Sequence, residues 1–526
     1  MPGNPKRRAA WAAGLALAAA MLAGPAALSA ELKLGLSADV SSLDPHFVNI
    51  APNIAFSQHL FDALVHVDPD GKLIPGLATS WRAVDPTTWE FKLRRGVKFH
   101  DGSELTADDV VFSIARPAQL TSSPGPFTSY TKQITDAKAT DPYTVRLKTA
   151  MPYGPLPLDL NSIFIVSKKA AQSASTEDFN SGKALVGTGP FKFASFKRGD
   201  RIEVTRNDQY WGDKPAWDKV TFRIITSDTP RLAALLSGDV DAIEAVPTAD
   251  IAKLKTNPKY RLEQKTSWRT IFWHMDQSRD KSPFITDKAG KPLDKNPLKD
   301  VRVRQAISKA INRQAMVERT MEGLAVPASN IVAPGILGHA DAIKPEAYDP
   351  NGAKKLLADA GYPDGFGITL HGPNNRYVND DQVVQTVAQF LTRIGIQAKV
   401  ETMPLSSYFG RARAGEFSMA LLGWGSLAGD FALRSLVGTP DPNSGWGTWN
   451  WGKYSNPKLD EQVRASLGSV DEKKRADLAK EAAAAALKDY AVIPLHHQMA
   501  TWAVRKGVRY AARTDEFTFA HQFRPE

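Results

Sequence analysis

Two short stretches carry the side chains best suited to gripping a small molecule. The first reads His371-Gly372-Pro373-Asn374-Asn375-Arg376-Tyr377. A guanidinium makes a bidentate, directional bond to a carboxylate or phosphate, so Arg376 is a candidate anion anchor, with Asn374 beside it. The second reads Gly423-Trp424-Gly425-Ser426-Leu427-Ala428-Gly429-Asp430. Here Trp424 and its neighbour Gly425 are candidates for packing against a ligand, and Asp430 for a cationic or hydroxyl-bearing part. Trp446, Trp449, Trp451 and Tyr454 follow. Flat aromatic faces accept sugar rings, nucleobases and peptide side chains alike. This is the chemistry of reversible capture.

The groups that would make or break bonds do not assemble in the same way. Neither HExxH nor GxSxG occurs, so the usual zinc-hydrolase and serine-hydrolase signatures are absent. His496 and His497 are adjacent, point to different sides of a strand, and have no cysteine to help them hold a metal. His100-Asp101 sits at a turn and is a poor general base. Gly187-Thr188-Gly189-Pro190 suggests a phosphate loop, yet it lacks the third glycine, the following helix and a Lys-Ser/Thr pair. It reads as a turn feeding a strand. No enzyme, cofactor or metal is expected.

The elements that must position the two loops form an alternation. Asp300 can cap a helix bearing Val303, Ile307, Ala310 and Ile311, and Asp349-Pro350 opens another that stops at Gly361. Strand 368–370, helix 381–393, strand 396–401, helix 406–414 and strand 418–424 follow. Short links between them argue a parallel sheet with helices packed on it. Ligands bind beyond the carboxyl ends of such strands, which is where Arg376 and Trp424 fall. A single helix is expected after Tyr454–Leu459, running through the Ala482–Ala486 run.

With 526 residues, two or three domains are expected. Residues 1–30 differ from the rest: Lys6-Arg7-Arg8, an Ala/Leu-rich run, then Leu28-Ser29-Ala30. That is a cleavable secretory signal, with the cut expected before Glu31. The chain has no cysteine, so neither a lipid-bearing thiol nor a disulfide is available. The formal charge of +10 becomes +7 once those three basic residues leave. The remaining basic residues are scattered among acids, so nucleic acid is not an expected partner. A periplasmic, monomeric protein is the expectation.

Three longer stretches carry a family resemblance: PGLATSW…WEFKLRRGVKFHDG…LTADDVVFSIAR between residues 75 and 116, VGTGPFKFASFKRGDRIEVTRNDQYWGDKPAWDKVTFRII from Val186, and YSNPKLD from Tyr454. Together they resemble the peptide/nickel/opine (family 5) solute-binding proteins of ABC importers. The resemblance implies an α/β, bilobal fold with a hinge and an added scaffold domain. Lobe I would comprise 31–55, 183–272 and 497–526; the scaffold domain 56–182; lobe II 273–496. It implies capture of a peptide or peptide-like solute, or of an opine, oligosaccharide or metal chelate, and delivery to an inner-membrane permease. In dipeptide-binding relatives an arginine at the place of Arg376 pairs with the ligand's carboxylate. An aspartate three residues after the tryptophan pairs with its amine; here that residue is Leu427, which leaves Asp430 as the substitute acid. Ser41 and Ser42, beside an "LDP" typical of relatives, are expected to contribute from the opposite lobe.

Overall fold

The computed structural model describes residues 30–120, 122–441 and 444–526; the expected signal at 1–30 lies, but for its last residue, outside the described residues. One mixed sheet of twelve strands runs through the molecule. Its main order is Ile285–Thr286, Gly367–Pro373, Met419–Gly425, Tyr260–Met275, Ile493–Arg505, Ala242–Glu244, Glu31–Leu36, Lys219–Ile224, Arg201–Arg206, Phe191–Lys197. Gln397–Met403 joins beside Gly367–Pro373, and Ala325–Pro327 beside Ile493–Arg505.

The predicted alternation is present in lobe II. Gly367–Pro373 pairs in parallel with both Gln397–Met403 and Met419–Gly425, with helices Asp380–Thr392 and Leu405–Arg413 as the crossovers. The caps act as expected: Asp300 accepts from Arg302 N and Asp349 from Gly352 N. A separate antiparallel sheet, in the order Ala78–Asp85, Thr88–Leu93, Thr144–Thr149, Ile134–Asp141, lies within residues 56–182. Beside it Thr106 and Asp109 form a capping box on helix Ala107–Ala115.

Two strands join the lobes. Tyr260–Met275 pairs along its first half with the lobe I end of Ile493–Arg505, and along its second half with Met419–Gly425. The boundaries expected at 272/273 and 496/497 therefore fall inside these strands. Between Thr266↔Met499 and Thr270↔His497 the register slips, so that Ser267, Trp268 and Arg269 face the single residue Gln498. Such bulges bend a strand and re-aim its side chains. The bulge marks where the strand passes from one lobe to the other.

Val97–Phe99 forms the arm of a tight turn, held by Phe99 N–H on Ser103 O. One expected element differs. The long C-terminal helix is two helices, Pro457–Leu467 and Glu472–Lys488. Asp471 caps the second by accepting from Lys474 N, which restarts the helix after Gly468.

Candidate ligand-binding site

The Arg376 loop is held in shape by Asp380. One oxygen of this buried carboxylate accepts the backbone N–H groups of Arg376 and Tyr377, at 2.8 and 3.0 Å, and the other accepts that of Asp381 at 3.0 Å. Tyr377 is buried and donates its hydroxyl to Gly423 O at 3.2 Å, which ties the two predicted loops together. The Arg376 guanidinium lies over the Tyr377 ring, 5.2 Å from its centroid. Its side chain is exposed and makes no hydrogen bond to a carboxylate among the described residues. Surrounding protein, and then the neighbouring Arg269 charge, hold its pKa below the ordinary arginine value.

Arg269 comes from the bulge of the joining strand, and the C-terminal segment supplies its partner. Its Nη2 is 2.6 Å from Glu516 Oε2, its Nε 3.2 Å from Oε1, and Ser267 Oγ donates to Oε1 at 2.6 Å. Burial alone would raise Glu516, but the Arg269 charge and these bonds bring it below the usual carboxylate value. Glu516 holds this position with a left-handed backbone, φ 66°, a conformation costly for a residue other than glycine. Trp268, also in the bulge, donates its backbone N–H to Thr514 O at 2.9 Å. Its indole lies over Gly425: a Cβ there would sit 2.6 Å from Trp268 Nε1. That indole N–H is buried without an acceptor. Gly425 is thus the floor on which Trp268 rests.

Trp424 lies on the other face of the same strand. Side chains alternate along a strand, and while Gly423 and Gly425 face Tyr377 and Trp268, Trp424 packs with Phe431 and Trp449, at centroid distances of 6.3 and 5.6 Å. It is half-buried, and its Nε1 also lacks a partner. Asn374 is exposed, with its backbone N–H on Met403 O at 3.1 Å.

Three expectations need correction. Asp430 is 0% exposed and its two oxygens take Arg475 Nε and Nη2 at 2.7 and 2.9 Å, with Ser466 Oγ at 3.1 Å. It is the acid of a buried ion pair and does not face a ligand. Ser42 is buried; its hydroxyl donates to Asn180 Oδ1 at 3.1 Å and accepts from Asp44 N at 3.2 Å. Ser41 is half-buried and donates to Asn53 Oδ1 at 3.3 Å. Both serines organise their own loop. Leu427 packs on the turn Asp68–Lys72: a Cβ on Gly71 would be 2.8 Å from its Cδ2.

Among the described residues no group of three or more His, Asp or Glu side chains could hold a metal ion. No helix among them is long and apolar enough to cross a membrane.

Residues 72–436 match the model for bacterial extracellular solute-binding proteins, family 5. The chain belongs to this family. A glutathione-binding protein of Salmonella choleraesuis is 30% identical over 502 residues, 92% of each chain. The periplasmic binding protein DppA of Helicobacter pylori, solved with the peptide STSA, superposes with a TM-score of 0.76 at 27% identity, over 94% of this chain and 98% of that one. The binding protein AgaA of A. tumefaciens R10, solved with agropinic acid, gives 0.75 at 25% identity, over 94% and 99%. The fold is that of bilobal periplasmic binding proteins.

Proposed function

We propose that this family 5 protein is the periplasmic receptor of an ABC importer, and that it captures a small, carboxylate-bearing, amino-acid-derived solute between its lobes and passes it to an inner-membrane permease. The observation that carries the reading is Arg376: a guanidinium in a loop held by Asp380, near the Arg269–Glu516 pair, with no carboxylate of its own among the described residues. A carboxylate brought by a solute would find a bidentate partner there. The protein acts as a monomer, leaves the cytoplasm on a cleaved signal, carries no lipid anchor and does no chemistry on its cargo.

A second reading, an opine-type solute, is favoured by Leu427, which stands where dipeptide-binding relatives have an acid and packs on Gly71. The test is thermal stabilisation of the purified protein, freed of solute by unfolding and refolding. Dipeptides and opines are compared with their carboxamide forms. A ligand at 100 times its dissociation constant adds about 2.7 kcal/mol. Arg376→Met is expected to abolish this shift while leaving the unliganded melting temperature in place. A ligand whose carboxamide binds equally well, or a shift that survives Arg376→Met, would remove Arg376 from the site.

A further inference from the structure

Resting on the reading of Arg376 as the carboxylate anchor, one question remains: where would the positive end of an amino-acid-derived solute go? The acid expected three residues after Trp424 is Leu427, and Asp430 is closed off by Arg475. The other acids around the cleft are also engaged. Glu516 is held by Arg269 and Ser267. Asp380 is held by three backbone amides. Glu244 accepts Ser37 N and Oγ on one oxygen, at 2.9 and 2.8 Å, and Thr518 on the other.

Asp39 is different. It follows strand Glu31–Leu36, which runs parallel to both its neighbours, Lys219–Ile224 and Ala242–Glu244. It therefore lies at the carboxyl edge of lobe I, the edge at which such sheets take ligands. Asp39 is half-buried; its Oδ1 is sealed from solvent and accepts no hydrogen bond. No ion pair to it occurs among the described residues. A carboxylate oxygen withdrawn from water without a donor is unfavourable, so the position calls for a donor that arrives with something else.

Its loop is laced to the wall that faces Arg376. Ser37, two residues earlier, is bonded to Glu244; Glu244 is bonded to Thr518; and Thr518 lies two residues beyond Glu516. Among the described residues, the Arg376 guanidinium has no carboxylate bonded to it, and Asp39 Oδ1 and Trp268 Nε1–H have no hydrogen-bond partner; Glu516 lies near Arg376, and the Ser37–Glu244–Thr518 bonds tie the loop of Asp39 to the segment that carries Glu516.

We propose that Asp39 receives the ammonium group of the solute, so that a zwitterionic, amino-acid-derived ligand spans the cleft from Asp39 of lobe I to Arg376 of lobe II and sets an oxygen on Trp268 Nε1–H. A ligand of this kind pulls the lobes together, because its opposite charges are bound on opposite sides. A solute with an acylated nitrogen would offer Asp39 a single neutral amide N–H in place of a charged ammonium. The proposal makes Asp39 and Trp268 specificity-determining residues, and Asp39 takes over the role lost at Leu427.

The test is calorimetric titration of the purified, solute-free protein with a panel of dipeptides, each also in N-acetylated and in C-amidated form. Free dipeptides are expected to bind, and N-acetylation to weaken them at least tenfold. Asp39→Asn should erase that preference by lowering the affinity for the free form to that for the acetylated one. Asp39→Glu, which keeps the charge, should retain part of it, and Trp268→Phe should weaken both forms alike. Unliganded melting temperatures establish that each variant is folded. The proposal is overturned if acetylated forms bind as well as free ones, if Asp39→Asn leaves their ratio unchanged, or if no dipeptide binds. Failure of the parent reading looks different: the C-amidated forms would bind as well as the free acids.

Discussion

At the scale of single residues, Asp430 shows how position and burial divide a candidate from a ligand-binding group. Its carboxylate and the Arg475 guanidinium make two charge-assisted bonds out of reach of solvent. Breaking one half of such a pair leaves an uncompensated buried charge, at a cost of about 3–5 kcal/mol. Arg475→Met is therefore expected to lower the unfolding free energy by that order in urea, with the ligand affinity of the remaining folded protein unchanged. Loss of affinity without loss of stability would return Asp430 to the site. Nothing near Asp430 in the sequence announces its partner, which lies 45 residues away. Arg376, in contrast, can be singled out from the sequence as a candidate, because a guanidinium in a loop at the end of a parallel strand has few structural uses, and its side chain carries no carboxylate bond among the described residues. The surroundings of Glu516 and Asp39 cannot be read from the sequence, since each depends on which strand ends the fold brings to one edge.

At the scale of elements, capped and periodic segments were read well and the joining strands poorly. Helix Val301–Ala310 and helix Pro350–Asp359 announce themselves through Asp300 and Asp349 and through one apolar face. Strand Tyr260–Met275 does not. Its first half lies in one lobe, its second half in the other, and the bulge at Ser267–Arg269 breaks the alternation between them. Yet the bulge is what brings Trp268 over Gly425. The close approach makes Gly425 a position where one methyl group matters: the added Cβ would lie 2.6–2.9 Å from three atoms of the indole. Overpacking of this kind costs about 1–3 kcal/mol, here concentrated at the junction between the lobes. Gly425→Ala is expected to weaken ligand binding more than tenfold, because Trp268 must move before the walls can meet. Titration with any ligand that binds the parent protein measures this; unchanged affinity would mean that the Trp268–Gly425 contact plays no part in ligand capture.

At the scale of the whole molecule, the buried histidines set the response to acid. Burial holds His46, His59 and His100 neutral in the folded chain with pKa values of about 4, and His274, His496 and His497 with values of about 3. In the unfolded chain each takes up a proton near its ordinary value of 6.5. Between that value and the folded one the unfolded state binds more protons, so stability is full above pH 6.5 and is lost as the pH falls. At pH 5 each of the six contributes a loss of about 2 kcal/mol. Their sum is comparable to the whole stability of a typical domain, about 5–15 kcal/mol. One group runs the other way. Asp159 is buried beside Tyr153, against Arg434, Arg475 and Asp430 of lobe II, and burial above all raises it to about 7. Its folded form takes up a proton first, so it adds stability as the pH falls from 7 toward its ordinary value of 3.8, by about 3 kcal/mol at pH 5. Six against one favours loss. Urea unfolding is expected to show a much lower stability at pH 5 than at pH 7.5, and Asp159→Asn to make that fall steeper by removing the opposing contribution. His496 has no hydrogen-bond partner on either ring nitrogen among the described residues, so His496→Leu should flatten the fall by about 2 kcal/mol at little cost at pH 7.5. Equal stability at the two pH values would mean that these imidazoles meet water in the folded protein, and the core that joins the lobes around His496 and His497 would have to be drawn differently.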